Sequence, residues 1–256
     1  MHLFISDVHL GAFKQEKELQ IQKDLSALIG WCRAKGVRLH VLGDLFDYWM
    51  ETEHYIPPLG EQILSDFKRY HEEVGPTLYF TGNHDCWTLG HLAECGFRVY
   101  AEPKVVPVGN KKVLLFHGDG AEGLGTRFRR PLLHKVLRNP AFVELYRFLF
   151  TGQQANAIMK KFSAFTRDPH DRNPEKLDRW AGLLLKELAI DAVIAGHDHV
   201  PRSETFYRKP YINCGAFFSD RTLARYKNGT FDLVIWNSES HRLEIFNPPL
   251  RNGVIH

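Results

Sequence analysis

None of the four cysteines, Cys32, Cys86, Cys95 and Cys214, stands in a C-x-x-C pair or at zinc-ribbon spacing. A disulfide scaffold and a thiolate metal site are thereby excluded, and free thiols in a reducing compartment are expected. No run of about 18 uncharged apolar residues occurs, so no membrane-spanning helix is expected. The opening MHLFISDVHL has neither a basic region nor a useful apolar stretch, and Asp7 interrupts it. No secretory signal is read there, and a cytoplasmic location is expected. Charge of one sign is also missing. With 33 basic against 30 acidic residues the net is +3, too little to announce a nucleic-acid partner. Repeats and low-complexity tracts are absent. At 256 residues the chain suits one large domain or two small ones. What it has in excess is histidine, 14 in all, more than packing requires. Metal binding is the expected use of several of them.

Short apolar runs alternate with helical patterns in the first half of the chain. Residues 3–5, 39–42, 78–80, 113–116 and 191–195 read as strands, and residues 19–32 and 60–73 as helices. The alternation implies βαβ units, parallel strands and covering helices. Residues 211–214, 230–236 and 242–246 read as antiparallel strands closing a second sheet. Between 120 and 179 no strand is convincing, and helices break at Pro131, Pro140, Gly152 and Pro169. That stretch is expected to be a helical cap inserted into a core made of 1–119 and 180–256.

Five short segments follow apolar strands: Asp7-Val8-His9, Gly43-Asp44, Gly82-Asn83-His84-Asp85, His117-Gly118-Asp119 and Gly196-His197-Asp198-His199. Ligands bind at the carboxyl ends of strands in open α/β sheets, so these segments are expected to converge. Asp7 and His9 stand two apart on an extended chain and point the same way, as do His197 and His199. The candidate ligands are Asp7, His9, Asp44, Asn83, His117, His197 and His199. Each alone is more often a surface or cap residue. As a set without thiolate they suit two ions of the Mn²⁺, Fe or Zn²⁺ type in a hydrolytic centre. Ions about 3.5–4 Å apart polarise a phosphoryl oxygen and stabilise an in-line displacement. Asp85 has a plainer alternative role, capping a helix that begins near Trp87.

In this order, the segments D-x-H, G-D, G-N-H-D, H and G-H-x-H resemble the calcineurin-like metallophosphoesterases. The resemblance implies an α/β fold, an αββα sandwich of two mixed sheets. It places Asp7, His9, Asp44 and His199 on a first metal, with Asp44 bridging to a second completed by Asn83, His117 and His197. His84 would face the leaving group, oriented by Asp85, as proton donor or charge stabiliser. Tyr48 and Trp49 stand where the protein phosphatases carry Arg-Gly, which sets that branch aside. DNA-repair exonucleases share the motifs and remain the alternative, although they normally continue into a further domain.

The segments Phe4 to Leu10, Gly43 to Trp49, Phe80 to Trp87 and His117 to Gly120 most resemble the UDP-2,3-diacylglucosamine hydrolases of lipid A synthesis. That resemblance implies a pyrophosphatase dependent on two divalent ions, Mn²⁺ above all. The implied substrate is a lipid-linked nucleotide sugar taken at the inner membrane surface. Asn83, His84 and His197 would contact substrate, joined by Ser163 and Arg167 from the insertion. Two departures are visible: some members carry Arg where this chain has His84, and Gly120 to Gly123 lacks the aspartates expected after H-G-D. The insertion's composition points the same way. Between 123 and 167 stand nine basic residues against the single acid Glu144, beside a broadly apolar run from Phe142 to Phe150. Such an element suits acyl chains or an anionic bilayer. So many aliphatics make a nucleic-acid groove the weaker reading, and nothing in the sequence speaks to oligomeric state.

Overall fold

The computed structural model describes residues 1–120, 130, 132–166 and 174–248. In chain order the elements begin β1 (His2–Ile5), α1 (Gln15–Lys35), β2 (Arg38–Leu42), α2 (Glu61–Glu73), β3 (Leu78–Phe80), α3 (His91–Glu94) and β4 (Arg98–Tyr100). There follow β5 (Lys104–Val108), β6 (Lys111–Leu115), α4 (Leu132–Leu137), α5 (Pro140–Leu149), α6 (Gly152–Thr166), α7 (Pro174–Glu187) and β7 (Ala192–Ala195). The chain ends with β8 (Arg202–Phe206), β9 (Lys209–Asn213), α8 (Phe217–Asp220), β10 (Thr222–Lys227), β11 (Thr230–Asn237) and β12 (Arg242–Ile245).

Two sheets face each other between helical layers. The first runs β12-β11-β10-β1-β2-β3-β4 and the second β5-β6-β7-β9-β8. Strands β1 to β4 are parallel, and so are β6, β7 and β9. One face of the first sheet (Leu3, Ile5, Leu39, Val41) packs on α1 and α2 through Leu25, Leu28, Ile63 and Phe67. Its other face (Phe4, Leu42, Phe80) meets Val113, Leu115 and Ile194 of the second sheet. The outer side of the second sheet is covered by Leu177, Trp180, Leu184 and Leu185 of α7. Strands buried on both faces carry apolar residues throughout, which is why they read as short uninterrupted runs.

Two expectations are corrected here. Strands β11 and β12 do not close the second sheet: they reach the first through β10, which pairs antiparallel with β1. Of the three strands expected to close the second sheet, only β9 lies in it, parallel to β7. Strand β10 (TLARYK) is one-third charged and gave no clear apolar run, so its edge of β1 looked vacant from the sequence. The core also resumes before 180, because α7 begins at Pro174 and belongs to the second sheet's cover. Pro107, unpromising for a strand, sits in β5 at the sheet edge, where an absent N–H costs little.

Helices α4 to α6 rest on the loops after β2 and β3. Leu137, Phe142, Val143, Tyr146, Phe150, Ala155 and Met159 gather around Met50 and Trp87. Asn139 caps α5 by accepting from the N–H groups of Ala141 and Phe142, with Pro140 in the first turn. The apolar run from 142 to 150 is therefore two-faced. Its outer residues Leu145, Phe148 and Leu149 stand 56%, 86% and 59% exposed. Among the described residues no helix is long and apolar enough to cross a membrane. The four cysteines are free, and Cys32, Cys95 and Cys214 are buried.

Candidate metal centre

Parallel strands β1, β2, β3, β6 and β7 bring their carboxyl ends to one rim of the sandwich, and each is followed there by one of the five segments. The turns are held tightly across the sheets. The amides of Val8 and His9 donate to the Asp44 carbonyl, and that of His197 donates to Asp7 Oδ2 at 2.9 Å. Asp7, His9, Asp44, His197 and His199 all take left-handed backbone conformations, with φ of 54°, 52°, 52°, 80° and 60°. Non-glycine residues rarely adopt this region, and its concentration here marks strain held by the surroundings. Gly82 has a different reason for being glycine: a Cβ there would overlap the Asp44 carboxylate and its backbone N–H.

Among the described residues the side chains converge on three overlapping clusters, Asp7 with His9 and His199, Asp7 with Asp44 and His117, and His9 with Asp44 and His84. Asp7 Oδ1 lies 3.2 Å from His199 Nε2, which is itself 3.2 Å from His9 Nε2. Asp44 Oδ2 lies 3.2 Å from His117 Nε2 and 3.7 Å from His9 Nε2, between the two groups. Asn83 Oδ1 and His197 Nδ1 each approach His117 Nε2 to 3.2 Å. All seven residues expected as ligands thus share one centre.

Their free atoms are aimed inward by outer partners. Asp47 Oδ1 faces His9 Nδ1 at 3.2 Å, and the Leu42 carbonyl accepts from His117 Nδ1 at 2.7 Å. Each contact leaves Nε2 for an ion. Electrostatics report the same crowding. Burial would raise the Asp7 carboxyl, but His199, His9 and His117 hold it well below the usual carboxylate range. Burial works against protonating His117, yet Asp44 and then Asp7 push it up to about 10. Burial, with His117 alongside, takes His197 down to about 4. Asp7 Oδ1 is buried without a hydrogen-bond partner, and so is His199 Nδ1. Buried carboxylates facing imidazoles, with an orphaned oxygen between them and no thiolate, fit divalent cations.

His84 stands at this centre, within reach of His9 and Asp44. Its Nδ1 donates to the Asp47 carbonyl at 2.8 Å and lies 3.1 Å from Ser163 Oγ. Burial lowers its pKa, opposed by Asp44 and Asp47. Asp85 does not supply the orienting contact expected of it. Its carboxylate accepts from the amides of Gly82 and Leu45 and from the Tyr79 hydroxyl, tying the two ligand loops together from behind. Nor does it cap a helix at Trp87, because that residue bridges to Met50 and α3 starts only at His91. Ser163 is buried against Asp47 and His84. Arg167 lies outside the described residues.

Sequence reasoning passed over several residues that build the site. Asp47 was visible as the last letter of G-D-L-F-D. Asp198, between His197 and His199, is gripped by Arg202 at 2.9 and 2.6 Å, and Arg202 also pairs with Asp178 and meets the Tyr211 hydroxyl. Arg202→Met is expected to lower the unfolding free energy by about 3–5 kcal/mol in urea melts, because two buried carboxylates lose their counter-charge. A loss below about 1 kcal/mol would show the network to be dispensable. Arg138 binds the Gly82 carbonyl and Asp119 at 2.6 and 3.1 Å, and Arg130 joins it on Asp119. Arg147 pairs with Glu53. Part of the insertion's positive charge is therefore spent on internal ion pairs, while Lys135, Lys160 and Lys161 remain exposed.

A family model described as calcineurin-like phosphoesterase matches residues 3–201. Curated relatives named UDP-2,3-diacylglucosamine hydrolase are similar over most of the chain. That from Porphyromonas gingivalis is 28% identical over 77% of this chain and 82% of its own length. The Coxiella burnetii relative is 26% identical over 90% of this chain and 96% of its own. A Vibrio cholerae relative is 25% identical over 78% and 82%.

Proposed function

The chain belongs to the calcineurin-like phosphoesterase family of metal-dependent hydrolases, and on that footing we propose that it cleaves the pyrophosphate bond of UDP-2,3-diacylglucosamine or a similar lipid-linked nucleotide sugar. The products are UMP and a lipid monophosphate. The observation that carries this reading is the two-sided insertion: its inner side touches His84 through Ser163, while Leu145, Phe148 and Leu149 stand exposed outside. Exposed aliphatic and aromatic side chains near lysines suit a substrate that is both acylated and anionic. The names of the relatives agree with that substrate class.

Asp7, His9, Asp44 and His199 would hold one divalent ion and Asp44, Asn83, His117 and His197 the other, with Mn²⁺ suited to this donor set. When bound, the pair supplies Lewis-acid charge and an activated water for in-line attack at phosphorus. The chain's own residues do the rest. Asp44 places the two ligand groups in register, Asp47 aims His9, and His84 presents Nε2 to the reacting phosphate while its Nδ1 is held by the Asp47 carbonyl. Asn83 and His197 border the same space and would contact the phosphate. The exposed face of α5 would take acyl chains at the cytoplasmic surface of the inner membrane, without spanning it.

Purified protein with Mn²⁺ and UDP-2,3-diacylglucosamine should release UMP. No UMP, together with cleavage of single-stranded DNA, would overturn the reading in favour of a nuclease. Replacing Phe148 and Leu149 by serine should lower kcat/KM on the lipid roughly ten- to hundredfold, the worth of burying one or two apolar side chains. Hydrolysis of bis-p-nitrophenyl phosphate should not change. Equal losses on both substrates would remove these residues from lipid binding.

A further inference from the structure

Helix α6 meets the loop after β2 at two points seven residues apart, and therefore on one face. Asn156 Nδ2 donates to the Met50 carbonyl at 3.0 Å, and Ser163 Oγ donates to Asp47 Oδ2 at 2.8 Å. Ala155 and Met159 fill the same face with apolar contact to the Met50 and Trp87 region. The insertion is therefore docked by its packing and by a specific polar bridge ending at the catalytic histidine.

Asp47 is the hinge of that bridge. One of its carboxylate oxygens faces His9 Nδ1, the other accepts a hydrogen bond from the Ser163 hydroxyl, and its backbone carbonyl accepts from His84 Nδ1. Ser163 Oγ in turn lies 3.1 Å from the same His84 Nδ1, so its lone pair shares that proton with the carbonyl. With a side chain only 3% exposed and its hydroxyl engaged on both sides, Ser163 is built to hold its neighbours rather than to meet a substrate. We propose that Ser163 is a positioning residue: the bridge from Ser163 to Asp47 and His84 sets the orientation of the ring, so that docking of the insertion completes the reactive centre. This rests on the role given to His84 above, and it deepens that role by making chemistry depend on an element that otherwise belongs to substrate binding.

Ser163→Ala, assayed on two substrates, separates the possibilities. Expected is a fall in kcat of about tenfold on both bis-p-nitrophenyl phosphate and the lipid nucleotide, with KM within about twofold and two metal ions still bound. In the metal-free protein, the Nδ1–H signal of the His84 ring should shift and broaden as it loses one of its two acceptors, while the proton stays on Nδ1, held by the Asp47 carbonyl. A raised KM for the lipid alone, with kcat on the small diester intact, would make Ser163 a substrate contact and overturn the proposal. Unchanged His84 signals would overturn it equally. Should the wild-type protein not turn over the lipid, the substrate reading fails, while the small diester and the ring signals still decide the role of Ser163.

Discussion

Asp44→Ala is expected to reduce kcat/KM by at least about 10⁴ and to lower the bound metal from two ions per chain to one or none. Among the described residues no other carboxylate oxygen stands as Asp44 Oδ2 does, 3.2 Å from His117 Nε2 and 3.7 Å from His9 Nε2. Its other oxygen accepts from the His84 amide at 3.0 Å, so the same side chain also shapes the G-N-H-D turn. Removing it withdraws negative charge from both ligand groups at once. His9 would lose one of its three carboxylate neighbours and His117 the foremost one. Elemental analysis and steady-state rates on bis-p-nitrophenyl phosphate provide the check. A variant keeping two ions and a tenth of its activity would show that Asp44 is not shared.

His84→Ala should behave differently, keeping both ions and losing about 10²–10⁴ in kcat. The Asp47 carbonyl holds the Nδ1–H of the ring, so in the proposed role it is the Nε2–H of the doubly protonated imidazolium that would face the reacting phosphate. A phosphate monoester leaving group departs readily as an anion, so stabilising negative charge matters more on the lipid nucleotide than delivering a proton. The defect should accordingly be similar for leaving groups of different basicity. A defect that vanished with p-nitrophenolate, which needs no proton, would assign His84 as a general acid instead. Full activity would remove it from the mechanism.

The two variants also mark how far the sequence could be read. The convergence of the seven candidate ligand residues was legible because each lies within a few residues of a strand's end, where local spacing decides which way a side chain points. His84 was legible for the same reason. Asp85 was misjudged because adjacency in sequence suggested contact with His84, whereas the turn directs its carboxylate back to Gly82, Leu45 and Tyr79. The residues that do hold His84 come from elsewhere, Asp47 from the loop after β2 and Ser163 from α6, and no local spacing relates positions 116 residues apart.

By itself the sequence determined the chemistry: which donors exist, that none is a thiolate, and that they follow buried strands in two parallel sets. These are properties of short segments, where backbone geometry and side-chain type suffice. Only the tertiary structure decided which sheet β11 and β12 join, that α7 belongs to the core, that Arg202 braces the turn carrying His197 and His199, and that the insertion reaches His84. Those outcomes depend on long-range pairing, in which a strand carrying two charges in six residues is stabilised by a vacant sheet edge and a buried hydroxyl or guanidinium by partners that packing alone brings near.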